Sequence, residues 1–260
     1  MRSLRIRILS LHSFIMISKL ILAALVLTPF SQLAIAQETA GLKAELRLLA
    51  FSSDITVTEA YAHDVAGPAD AVGVKVTIQS YLNHDFSSLV LRSRKIAFST
   101  KPDRASLTRG GELVGEVALP EGGDSSILLF LPGKAGAKQM YQVMPIPDSK
   151  RAFPAGSFHC TNLSNLPVRL TLESQPYDFK PAQAMLIENA PVQANGHSAM
   201  RAFAFKDNEW MKVSTGLWPS PGESRTLMIF YQDTLTGNLR LQAYDDVPPR
   251  TAKEQATAKP

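Results

Sequence analysis

The sequence predicts an all-β fold, two antiparallel immunoglobulin-like β-sandwich domains in tandem, and three observations predict it. Short runs of alternating apolar and polar residues recur about every 8 to 12 residues with polar turns between them, the spacing of a sandwich. Helical periodicity longer than two turns is absent beyond the N-terminal stretch. Two segments at an offset of 100 residues repeat one order of turn, apolar strand, glycine-bearing loop and second strand, which favours an internal duplication.

Residues 1–36 read as a cleavable signal peptide. Arg2, Arg5, Arg7 and Lys19 precede the apolar run 20–27, Pro29 closes it, and Ala34-Ile35-Ala36 stands before Gln37. A positive region, an apolar region and a small-residue cleavage site occur in that order. The apolar run is shorter than the roughly 20 residues a spanning helix needs, and no cysteine lies near the cleavage site to carry a lipid. The mature protein is therefore expected to be periplasmic or secreted and not membrane-spanning.

The charge balance follows. The chain holds 27 Lys+Arg and 23 Asp+Glu, and the signal region takes four basic and no acidic residues, leaving 23 against 23. Without excess positive charge or a Lys/Arg run, the mature chain lacks the footprint of a nucleic-acid binder. One cysteine, Cys160, excludes an intrachain disulfide and reads as a buried, inert thiol.

In chain order, strands are expected over 43–51, 56–62 and 72–79, the last with Val72, Val74, Val76 and Ile78 on one face. Ser87–Leu91, Lys95–Ser99 and 112–119 follow, separated by turns such as Lys101-Pro102-Asp103. The run 127–131 (ILLFL) reads as a strand covered on both sides, and 139–144 as the second arm of its hairpin. The second half continues with 157–163, 167–172, 184–188, 200–205, 210–214, 226–231 and 238–244. This places a first domain over 37–145, a second over 146–247, and a polar, disordered tail over 248–260. The proline-rich stretch 144–172 is the joint, and a cleft at the joint is the expected place for a ligand.

The duplication sets Gly122 over Gly222 and Phe130 over Phe230. Further upstream, Lys95-Ile96-Ala97-Phe98 resembles Ala202-Phe203-Ala204-Phe205 at an offset of 107, a change equal to one loop-length difference.

Chemistry-bearing residues are sparse. His159, Cys160, His197 and Met200 supply the ligand types of a blue-copper site, but 36 residues separate Cys160 from His197, and strand neighbours point to opposite faces. Cys160 thus reads as core and His159 as surface. His63-Asp64 and His84-Asp85 read as loop residues, and no paired cysteines or H-E-x-x-H frame a zinc site. G-x-S-x-G and glycine-rich phosphate loops are missing too. No catalytic residue, metal or cofactor is expected. Phe203 and Phe205 read as core. Trp210 and Trp218, beside charged or proline-rich turns, are the candidate ligand-binding residues, because exposed rings stack on sugar faces. Asn162-Leu163-Ser164 matches a glycosylation sequon.

The segments 162–168 (NLSNLPV) and 221–227 (PGESRTL) look like phrases of the periplasmic chaperones of pilus assembly. That resemblance implies two sandwiches and an edge strand offered to a partner. Both phrases fall in the second half here, whereas that family carries them in its first domain. The expected function is a non-catalytic exported protein that binds a protein or cell-envelope component through loops or an edge strand. The alternatives are a carbohydrate-binding module using exposed aromatics and a periplasmic chaperone-like protein.

Overall fold

The computed structural model describes residues 41–134, 136–233 and 236–247; the expected signal peptide and tail lie outside them. The first eight strands are β1 (Leu42–Ala50), β2 (Glu59–Asp64), β3 (Val74–Gln79), β4 (Ser87–Leu91), β5 (Lys95–Ser99), β6 (Leu113–Ala118), β7 (Ser125–Pro132) and β8 (Tyr141–Pro147). The next eight are β9 (Phe158–Asn162), β10 (Val168–Leu172), β11 (Gln175–Phe179), β12 (Ala184–Ile187), β13 (His197–Lys206), β14 (Glu209–Pro219), β15 (Arg225–Gln232) and β16 (Leu239–Asp246). Among the described residues the only helical element is a 3-10 turn, Arg104–Leu107, and no helix is long and apolar enough to cross a membrane.

Sequence reading missed β11 because Gln175, Pro176 and Asp178 are poor strand formers. Its hairpin with β10 holds it, closed by a turn in which Glu173 takes φ 52°. The third strand begins at Val74, so Val72 lies outside it and both are exposed; only Val76 and Ile78 reach the core.

The pairing of the first eight strands recurs in the next eight. In the first half β4 pairs antiparallel with β1, β1 parallel with β7, and β7 antiparallel with β8. In the second half β12, β9, β15 and β16 make the same three pairings in the same order. The series β3-β2-β5-β6 likewise matches β11-β10-β13-β14, every pair antiparallel.

The halves differ in closure. The nine-residue β1 pairs with β4 through Leu42–Leu46 and then crosses to β3 at Leu48 and Leu49. This joins the first half into one eight-stranded, nearly barrel-like sheet. Its far ends meet where the Met140 N–H donates to Leu113 O at 3.0 Å. With five residues, β9 is too short to cross, and the second half stays two four-stranded sheets.

Each half has its own apolar core, one around Leu46, Phe98 and Phe130 and one around Cys160, Phe179 and Phe230. A third cluster lies between the halves, where β1, β7 and β8 pack against β15 and β16 through Leu49, Ile127, Leu129, Ile146, Leu227, Ile229 and Tyr244. Ile127 and Leu227 hold equivalent register positions, as do Ile146 and Tyr244. The two copies therefore meet through the same face. This explains the runs ILLFL and TLMIFY: each strand is buried on one side by its own core and on the other by the opposite half. Each large side chain buried this way contributes roughly 1.5–3 kcal/mol.

Candidate functional site

Two openings lie at the joint, one of about 280 Å³ beside Pro154, Ser157 and Glu188 and one of about 420 Å³ between Ser52, Ile78, Gln242 and Tyr244, while the interior of the joint is filled. The connector from β8 to β9 sends in Asp148 and Phe153, both buried. There Arg47 of β1 donates Nε–H and Nη2–H to Asp148 at 2.8 and 2.7 Å, Nη1–H and Nη2–H to Asp246 at 2.7 and 2.8 Å, and Nη1–H to Leu82 O at 2.8 Å. All five guanidinium protons are used. Arg225 opens β15 and donates to Asp246, Asp148 and Phe153 O at 2.8, 2.5 and 2.6 Å. Its guanidinium also lies over the Phe153 ring at 4.5 Å. Two cations and two anions neutralise one another with almost no exposure. Burial pulls the Arg47 pKa down, but its bonds to Asp246 and Asp148 and their charges outweigh this and hold it above the ordinary value. Within the cluster the charges are spent largely on one another.

His63 and His159 are both buried. His63 lies in a strand rather than a loop, and its Nε2 donates to Ser99 Oγ at 2.8 Å because that hydroxyl donates onward to Lys101 O at 2.6 Å. Both side chains are buried. Asp64 accepts from the Ala66 and Arg92 backbone N–H groups. His159 is buried, not on the surface: it packs edge-on to Phe153 at 5.7 Å, and burial pushes its pKa down. Cys160 faces the second-half core beside Met228, and burial raises its thiol pKa. His159 and Cys160 thus point to opposite faces, as alternation requires. Among the described residues no group of three or more His, Cys, Asp or Glu is placed to hold a metal.

The sequon is a structural device. Asn162 is fully buried, and its Nδ2 donates to Leu166 O at 2.8 Å and Lys180 O at 3.2 Å.

The two tryptophans separate. Trp218 turns inward and stacks on Phe158 at 5.5 Å, packed against the core. Trp210 is 38% exposed on the outer face of β14, with Phe205 at 5.2 Å and the Arg169 guanidinium over its ring at 4.5 Å. Phe203 and Phe205 are half-buried on that outer face, while Ala202 and Ala204 point into the core. The sequence match of Phe98 to Phe205 therefore pairs opposite faces, the signature of a one-residue slip.

That slip hides an opening in the second half. In the first half Ile96 and Phe98 of β5 fill the core beside β6. On β13 the inward residues are Ala202 and Ala204, and their neighbours on β14 include Ser214 and, opposite Met200, Gly216. A groove of about 650 Å³ lies between β14 and β16, lined by Val213, Ser214, Gly216, Trp218, Leu239 and Leu241 and by the polar Thr215, Arg240 and Gln242. In the first half the corresponding seam is shut. A Cβ on Gly115 of β6 would lie 2.6 Å from Val143 Cγ2 and 3.1 Å from Tyr141 O. Among the described residues the eleven-residue β14 pairs only with β13, and its outer edge carries no strand; Met211 and Leu217 stand 45% and 65% exposed.

No protein-family model and no curated protein sequence matches the chain. The site is therefore argued from its geometry. Sequence reasoning overlooked both the charge cluster and the groove. Arg47 between Leu46 and Leu48, and Arg225 just before an apolar run, were the available signals for the first. The small inward residues of β13 and β14 were the signal for the second, legible only in the correct register.

Proposed function

We propose that this is an exported, non-catalytic protein of two immunoglobulin-like sandwiches that binds an extended segment of a partner polypeptide along β14. One observation carries the reading: the seam between β14 and β16 is open, although its counterpart in the first half is closed. A strand added to the β14 edge gains main-chain hydrogen bonds, and its alternate side chains reach the groove. The apolar part of the lining, Val213, Trp218, Leu239 and Leu241, favours a segment with apolar residues at alternate positions. A long exposed edge is otherwise an aggregation hazard, and a bound partner removes it. The signal-like pattern over 1–36 supports export to the periplasm or outside the cell.

Trp218 lines the groove and reports the test. Peptides alternating apolar and polar residues are expected to shift its fluorescence saturably in a Trp210→Phe background, and Gly216→Phe, which plugs the groove, to abolish the shift. Binding that survives Gly216→Phe, or no binding by any such peptide, refutes the reading.

The carbohydrate reading keeps one supporting observation, the exposure of Trp210 beside Phe205; Trp218 is committed to Phe158. Loss of glycan binding in Trp210→Ala, with Gly216→Phe unaffected, selects that alternative. The chaperone-like reading shares edge-strand binding but places it in the first half, where the ends of the sheet close on each other.

A further inference from the structure

We propose that Arg47, Asp148, Arg225 and Asp246 form a closing latch that couples the two halves into one cooperative unit and is complete only when the last strand has joined the first. The four residues come from the first strand, the connector, the penultimate strand and the last position of β16. Arg47 and Asp246 are 199 residues apart in the chain, and Arg47 and Asp148 are 101 apart. Arg47 is wholly buried. Without Asp246 it retains a charge inside the protein with two donors unmatched, and an uncompensated buried charge is far more costly than a missing surface pair. Arg47 is thus fully paired as a buried charge only with the end of the second half in place.

Two further bonds tie the same ends together. The Tyr244 hydroxyl donates to Phe51 O at 2.6 Å, and the Val247 N–H donates to Asn83 Oδ1 at 2.8 Å. The apolar cluster between the halves supplies burial but little direction, because dispersion contacts tolerate sliding. Forked guanidinium–carboxylate bonds do not tolerate it, since both prongs need one orientation. The latch therefore fixes the angle between the halves as well as their union. This inference is independent of the partner proposed for β14.

Coupling is measured by damaging one half and watching the other. Phe179→Leu lesions the second-half core, where Phe179 is buried away from the charge cluster. Hydrogen exchange followed by peptide mass spectrometry through a urea series reads β1 and β5 separately from β10 and β13. Phe179→Leu is expected to lower the midpoint of all four strands by one common shift. Adding Asp246→Asn is expected to lower the midpoint by roughly 1 M urea or more and to separate the two halves. Arg225→Lys, which keeps the charge and loses the fork, carries the same comparison if Asp246→Asn does not fold. A Phe179→Leu shift confined to the second half overturns the coupling. Midpoints that stay together in both cluster variants overturn the latch as its source.

Discussion

Arg47 and Asp246 share a two-pronged ion pair, Nη1 to Oδ1 at 2.7 Å and Nη2 to Oδ2 at 2.8 Å, with neither side chain exposed. Asp246 stands opposite Arg225 at the end of its hairpin, and Asp148 stands at the matching point of the first, its N–H donating to Ser125 O at 3.1 Å. The duplicated fold thus brings two equivalent carboxylates to one place, where arginines from non-equivalent positions neutralise them. Truncating one partner of such a pair costs about 3–5 kcal/mol. Arg47→Met and Asp246→Leu are each expected to fall in that range by urea denaturation. The double variant is expected to cost much less than their sum, because the apolar pair leaves no stranded charge. Additive losses would show that the two residues act separately.

Two glycines in equivalent strands are expected to respond with opposite sign. At Gly216 an added Cβ meets only Met200 Cε at 3.9 Å, an ordinary contact, whereas at Gly115 it would crowd Val143 and the Tyr141 carbonyl. Gly216→Ala is expected to stabilise by about 0.5–1 kcal/mol through reduced chain entropy in the unfolded state. Gly115→Ala is expected to destabilise by 1 kcal/mol or more, on the order of an overpacked core. Thermal melts of the two variants decide it, and equal effects would contradict the open and closed seams.

Stability is expected to fall on acidification. Burial holds His159, His63 and His84 below the ordinary imidazole value of 6.5. As pH drops through about 6.5, the unfolded chain takes up protons that the folded protein still refuses, so unfolding gains free energy. The melting temperature should be flat above about pH 7.5 and decline toward pH 5. His159→Leu should reduce the slope. A protein more stable at pH 5 than at pH 7.5 would contradict the assignment.

Asn162 is expected to remain unmodified in a glycosylating host, because its amide is buried and its protons are held by carbonyls. Intact mass after expression in such a host reads this directly. Asn162→Ala should cost about 1–3 kcal/mol through the carbonyls left unpaired.

The sequence by itself determined the all-β class and most of the strands, β11 excepted, and pointed to the repeat. Alternation in VRLTL and VKVTIQ has the period of a pleated strand, and turns rich in glycine and proline separate one strand from the next. Ser87–Leu91 and Lys95–Ser99 were legible to the residue. Register was not: Phe98 and Phe205 look alike in sequence but point to opposite faces, since a slip of one residue reverses a strand. Only the tertiary structure decided where the long-range partners fell. It buried His159, spent the interior of the joint on a charge cluster, turned Trp218 inward, and left the seam between β14 and β16 open at Gly216. Local sequence fixes the direction and periodicity of a strand, but the neighbour it faces depends on residues a hundred or more positions away.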